Sequence, residues 1–185
     1  MYKGIEIIAE VKTRSPFGWQ SAKSWDELFA IADDVGDTVS IHTDPRWGGS
    51  FHLLKKARGL TNKPLLAKGI HASDEDISRA LDCGADLVLV VGRVPGAHLD
   101  KCLVEPASLE GLARLATSQR AVWNSRDLTT GGLKSTSFSE ARQLFGGWLC
   151  QASNIISLED INAAADAVLI GTNLSEIAEQ LEHSS

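Results

Sequence analysis

Short apolar runs alternate with amphipathic runs along nearly the whole chain. Residues 5–9, 38–43, 64–69, 87–91, 102–105, 121–124, 148–152 and 167–171 are brief, apolar and rich in β-branched side chains, and predict eight buried strands. Residues 87–91 (Leu-Val-Leu-Val-Val) are wholly apolar, as in a strand covered on both faces. Residues 25–32 carry apolar positions at helical spacing behind a capping Ser24. Further helices are predicted from Ser50, from Ser73 with acids in its first turn, over 107–115, over 138–145, from a capped start at Ser157, and over 174–181. Only the segment 92–100 breaks the rhythm. It holds Pro95 and Gly96 and is too short for a full crossover helix, so the helix after the fourth strand is expected to be shortened or missing.

Eight strands alternating with helices close most naturally into a small parallel (β/α)8 TIM barrel, an α/β fold. An internal echo supports two fourfold halves: Gly84-Ala85-Asp86 leads into the fourth strand as Ala164-Ala165-Asp166 leads into the eighth. An open doubly wound sheet is the runner-up, but no Gly-rich dinucleotide fingerprint follows the first strand. The 185 residues suit one domain, 1–185, with 183–185 read as a disordered tail.

Charge and cysteine usage narrow the function classes. A net charge of -6 without a cationic run argues against nucleic acid or an anionic membrane as partner. No stretch reaches the roughly 20 apolar residues of a membrane span, and the start runs directly toward a strand, so a cytoplasmic protein is expected. Cys83, Cys102 and Cys150 are scattered and odd in number, and read as buried, reduced thiols rather than a disulfide framework or a zinc site. His52, His71 and His98 lack metal-ligand spacing.

Parallel barrels place their chemistry at the carboxyl ends of the strands, and here those ends are polar. Glu10 and Lys12 share a face after the first strand; His42, Lys68, Glu105, Asn124 with Arg126, and Gln151 with Ser153 end others. Ammonium groups can donate protons to a carbonyl or hydroxyl, carboxylates can accept them, and Asn with Arg can orient an anion. Ser153-Asn154 and Gly171-Thr172 offer small residues and free N–H groups in the loops after strands seven and eight, where barrels bind phosphate. A lone His such as His42 is more commonly structural. Arg93 is placed to reach an anion or to lie on the surface. The five tryptophans read as core or rim packing.

Ile8-Ala9-Glu10-Val11-Lys12-Thr13-Arg14-Ser15-Pro16 resembles the signature of indole-3-glycerol-phosphate synthases. The resemblance continues through His42-Thr43-Asp44, Leu66-Ala67-Lys68, Val104-Glu105, Asn124-Ser125-Arg126-Asp127-Leu128, Ser153-Asn154-Ile155 and residues 165–171. It implies a carboxy-lyase of tryptophan biosynthesis that closes and dehydrates a ring on 1-(2-carboxyphenylamino)-1-deoxyribulose 5-phosphate, with no metal or organic cofactor. It also implies Lys68 as general acid, Lys12 on the substrate carboxylate, Glu105 in dehydration and Glu10 orienting the lysines, with Asn124 and Ser153 completing the catalytic set. Ser15, Pro16, Arg126, Asn154, Ile170, Gly171 and Thr172 are then the expected substrate-binding residues.

The pattern also departs from the family. Its N-terminal segment, which covers the mouth, is represented here by only a few residues, so a compact member is expected. Ala152 replaces a Glu, Asn154 a Gly, Gly69-Ile70 an acidic-aromatic pair, and Phe17 a small hydroxyl residue. These departures leave open a related barrel lyase or isomerase on another sugar phosphate, a non-catalytic barrel, and a homo-oligomer or a tryptophan-pathway partner.

Overall fold

A computed structural model describes residues 4–183. Its eight strands are β1 (Glu6–Val11), β2 (Thr38–His42), β3 (Leu65–Lys68), β4 (Leu87–Val91), β5 (Cys102–Glu105), β6 (Arg120–Asn124), β7 (Leu149–Ala152) and β8 (Ala167–Ile170). They pair in chain order, all parallel, and β8 returns to β1 to close the barrel. Helices α1 (Trp25–Val35), α2 (Phe51–Arg58), α3 (Asp74–Asp82), α4 (Leu109–Ala113), α5 (Phe138–Leu144) and α6 (Leu174–His183) pack outside it. Membership of α6 takes in His183, the first residue of the stretch expected to be a tail; Ser184 and Ser185 lie outside the described residues.

Serines start the helices as the sequence implies. Ser24, Ser73 and Ser137 each form a reciprocal capping box with the acid three residues on, satisfying donors that a helix start leaves free. Two crossovers lack a full helix. Between β4 and β5 there is a single 3₁₀ turn, Leu99–Lys101, as expected. Between β7 and β8, where a capped helix is expected from Ser157, there is also only a 3₁₀ turn, Leu158–Asp160. Asn162 explains the stop: its side-chain Oδ1 accepts from Ala164 N at 2.9 Å while its backbone N–H donates to Gln151 Oε1 at 2.8 Å, turning the chain toward β8.

Period-two alternation divides the strand residues between two cores. Ile8, Leu66, Leu89, Leu103, Val122, Cys150 and Leu169 fill the barrel. Val39, Ile41, Leu65, Ala67, Val88, Val90 and Ile170 face outward against Leu28, Leu54, Ile77 and Ile177 of the helices. A further cluster sets Trp123 and Leu149 against Leu112, Phe138 and Phe145. Cys102 and Cys150 are buried, and burial pushes the Cys102 thiol up to about 11; Cys83 is only partly covered.

The internal echo has a structural cause at the amino-terminal face. Asp86 Oδ2 accepts from the first N–H of β3, Leu65 N, at 2.9 Å and from Arg58 at 3.0 Å. Asp166 Oδ2 does the same one half-barrel later, with Leu149 N at 2.8 Å and Arg142 at 2.9 Å. Each aspartate ties the start of one strand to the preceding strand and to the helix before it, so the repeat belongs to the scaffold and not to the mouth. No described helix is long and apolar enough to cross a membrane.

Candidate active site

Above the apolar plug the inward positions turn polar, because one further step of two along β1, β3, β5 and β6 places Glu10, Lys68, Glu105 and Asn124 in a single layer. Glu10 is 3% exposed, and its Oε1 receives Lys68 Nζ at 2.9 Å and His42 Nε2 at 2.6 Å. Its Oε2 sits where a β-carbon on Gly171 would be, 2.0 Å from that position. Burial opposes ionisation of Glu10, but Lys68, His42 and Lys12 outweigh it and hold the carboxyl well below the ordinary carboxylate range. Lys12 turns to the rim and donates to Thr172 Oγ1 at 2.7 Å, its ammonium 5.0 Å from the centre of the Trp19 ring. Burial lowers the Lys12 pKa, Glu10 opposes the change, and the like charges of Lys68 and Arg126 add to it.

A second chain of hydrogen bonds crosses the layer. Asn124 Oδ1 accepts from Ser153 Oγ at 2.7 Å and Arg126 N at 2.9 Å, which orients the amide so that Nδ2 donates to Glu105 Oε1 at 2.9 Å. Burial raises the Glu105 pKa, and Lys68 and the Asn124 hydrogen bond offset this only in part. The two buried carboxyls are therefore shifted in opposite directions, Glu10 toward ionisation and Glu105 away from it, the separation that acid–base chemistry needs. Lys134, on the loop after β6, lies over Trp123 at 4.7 Å and contributes to the field at Glu105; burial lowers its own pKa.

These groups line a cavity of about 290 Å³ bounded by Glu10, Lys12, Lys68, Asn124, Arg126 and Ser153, with Asn154, Gly171, Thr172 and Asn173 on one side. A smaller recess with Glu105, His42 and Leu89 adjoins it through Lys68, Asn124, Trp47 and Leu128. Ser153 and Asn154 are consecutive non-glycine residues in the left-handed region, at φ 68° and 57°. Asn173 Nδ2 donates to Ile155 O at 2.7 Å, holding this loop against the start of α6.

Not every expected residue reaches the cavity. Ser15 and Pro16 lie in a short hairpin beyond β1, where Ser15 Oγ accepts from Phe17 N at 3.1 Å, and neither lines the cavity. Ile170 faces outward, since its neighbour Leu169 faces in. Gln151 also faces outward, donating to Asp160 O at 2.9 Å. Arg93 is engaged with Asp74 at 2.7 Å and with His71 O. Conversely, His42 is part of the layer, and Trp47 and Leu128 are apolar walls that the strand-end reading missed. His42, a strand end that the sequence reads as structural, lies two residues beyond Ser40, the strand partner of Glu10, and that register brings it into the layer. Among the described residues no group of three or more His, Cys, Asp or Glu is arranged to hold a metal ion.

The family model for indole-3-glycerol phosphate synthase matches residues 2–183. The indole-3-glycerol phosphate synthase of Thermococcus kodakarensis is 32% identical, over 91% of this chain and 85% of its own length. That of Pyrobaculum arsenaticum is 28% identical, over 97% of this chain and 82% of the relative. The tryptophan biosynthesis protein TrpCD of Archaeoglobus fulgidus is 28% identical over 90% of this chain, a match that takes in 34% of that protein.

Proposed function

The chain belongs to the indole-3-glycerol phosphate synthase family, and from that premise we propose that it cyclises and dehydrates 1-(2-carboxyphenylamino)-1-deoxyribulose 5-phosphate as a cytoplasmic carboxy-lyase. The observation that carries the reading is the pair of buried carboxyls on one barrel layer, one ion-paired to Lys68 and the other hydrogen-bonded through Asn124 to Ser153.

Ring closure joins the aryl carbon that bears the carboxylate to the ketose carbonyl carbon, and the carbonyl oxygen takes a proton. Lys68, held at the mouth by Glu10, supplies that proton and leaves a hydroxyl on the new ring. Loss of carbon dioxide returns the bonding electrons to the ring. Lys12 holds the carboxylate until it leaves, and its lowered pKa lets it exchange protons there. Dehydration then removes the hydroxyl as water and a proton from the adjacent ring methylene carbon, whose C–H electrons become the new ring C–C double bond, while the nitrogen keeps its N–H. Glu105 serves as the acid–base group of this step, because burial raises its pKa and so favours the protonated form that can give a proton to the departing hydroxyl and later regain one.

Binding follows the shape of the cavity. Ser153, Asn154, Gly171, Thr172 and Asn173 surround the phosphate, next to the start of α6, whose positive dipole end favours an anion. Arg126 adds a positive charge, and Trp47, Leu128 and Ile155 enclose the aromatic ring. The test is indole fluorescence developing from that substrate at high enzyme concentration. Lys68→Ala is expected to lower kcat by roughly 10²- to 10⁴-fold, the usual worth of a general acid. No turnover by the wild-type chain would overturn the assignment.

A further inference from the structure

The layer contains one polar side chain with no part in the chemistry above. His42 ends β2, is 4% exposed, and places Nε2 2.6 Å from the same Glu10 oxygen that receives Lys68. Its ring lies 5.4 Å from that of Trp47 and within 2° of parallel. The 3₁₀ turn Pro45–Trp47 carries this indole, and Asp44 Oδ1 caps the turn by accepting from Arg46 N at 2.9 Å. From the other side the backbone of Gly49 closes on His42 so tightly that a β-carbon there would lie 2.1 Å from the His42 carbonyl oxygen. The imidazole is thus stacked on the indole, its backbone is held by the close approach of Gly49, and one edge is toward Glu10.

Its protonation state follows from its surroundings. Both ring nitrogens are buried, Nδ1 with no polar partner among the described residues and Nε2 with only the close approach of Glu10 Oε1 at 2.6 Å, so a doubly protonated ring would bury an unpaired N–H at Nδ1. The groups facing the ring are Glu10 of β1, Lys12 just beyond it and Lys68 of β3, with Asp44 on the following loop. Burial lowers its pKa, Glu10 opposes this, and the two lysines reinforce it. A neutral ring with its proton on Nε2 fits these surroundings best, because it turns an N–H rather than a lone pair toward Glu10 Oε1, 2.6 Å away.

We propose that His42 is a positioning residue for the Lys68 proton donor: its Nε2–H fixes Glu10 Oε1, and the fixed oxygen aims the Lys68 ammonium into the cavity. Without this donor the Glu10 oxygen is anchored only by Lys68 itself, so the two side chains swing as a pair. The role rests on the reaction assigned above, and the substrate and product are unchanged by it.

The test separates the donor from the ring. His42→Gln keeps an N–H at about the reach of Nε2 but loses the stacking ring, whereas His42→Phe keeps the ring on Trp47 and loses the donor. His42→Phe is expected to lose roughly ten- to hundredfold in kcat with KM changed less than about threefold, because a misaimed catalytic group costs rate more than binding. His42→Gln is expected to recover most of that kcat. In proton NMR the wild-type protein should show a far-downfield imidazole N–H that disappears in both variants. A kcat that is retained in His42→Phe, or that is lost equally in both variants along with thermal stability, would overturn the proposal and leave His42 a packing residue. An inactive wild-type chain would instead overturn the reaction itself, and the imidazole resonance would still report whether the Nε2–H bond exists.

Discussion

Gly171→Ala tests the central geometric claim, that Glu10 is held on three sides. The added methyl would sit 2.0 Å from Glu10 Oε2 and 2.9 Å from its Cδ. A β-carbon tolerates hardly any contact below 3.0 Å, so the carboxylate would have to retreat by about 1 Å. It has nowhere to go: Oε1 is held at 2.6 Å by His42 and 2.9 Å by Lys68, and the side chain is 3% exposed. The φ at 171 is not in the left-handed region, so the backbone accepts alanine and the penalty is steric. Overpacking of this kind costs about 1–3 kcal/mol, and in a chain of this size each kcal/mol lowers Tm by ~2–4 °C. A 1 Å displacement of the group that aims Lys68 should lower kcat about 10²-fold. Thermal unfolding and steady-state indole formation measure the two effects. The control is a double-mutant cycle with Glu10→Ala, in which the methyl meets no carboxylate and the Tm penalty should vanish. Wild-type Tm and kcat in Gly171→Ala would refute the reasoning, as would an equal penalty in both backgrounds. A raised KM with Tm unchanged would instead mark Gly171 as a phosphate contact only.

Glu105→Gln should change how stability depends on pH. The folded pKa of Glu105 lies above its unfolded value near 4.5, so its stabilising protonated state is fully present below that pH and lost as pH rises through the folded value. The glutamine variant, which keeps an oxygen for Asn124 Nδ2, should therefore have the higher Tm at neutral pH, with the gap closing below about pH 4; a constant gap across the range would count against it. Glu10 has the opposite sign, its depressed pKa contributing stability that is lost as pH falls below the ordinary carboxylate value, so Glu10→Gln should flatten the acid limb of the same Tm profile. Asn154→Gly should raise Tm by about 1–2 °C, since glycine adopts φ 57° without the steric cost an L side chain carries; a fall in Tm would show that the Asn154 side chain holds the loop.

Much of the molecule follows from local chemistry that a sequence displays. Strands announce themselves through short β-branched runs and helices through 3.6-residue spacing behind Ser24, Ser73 and Ser137, and both signals survive because neighbouring residues set them. Eight such pairs leave few ways to close, so the barrel was legible, and with it the rule that gathers Glu10, Lys68, Glu105 and Asn124 at one end. Even the outward turn of Ile170 and Gln151 was implicit, because two adjacent strand residues cannot both face the cavity. The aborted helix after Ser157 was not legible, since its start signal is intact and the stop comes from a contact between Asn162 and Gln151, a residue of the preceding strand.

Tertiary structure alone decided what the strand ends do to one another. Whether Glu10 meets Lys68, His42 or Lys12 depends on strand register and barrel curvature, and it is Lys68 and His42 that share its oxygen while Lys12 turns away to Thr172. The sequence by itself therefore determined the fold and the list of reactive groups, because both are carried by residue type and local spacing. The opposite shifts of the two carboxyls, Glu10 toward ionisation and Glu105 away from it, came only with the closed barrel, where burial and charges from different strands act on each group at once.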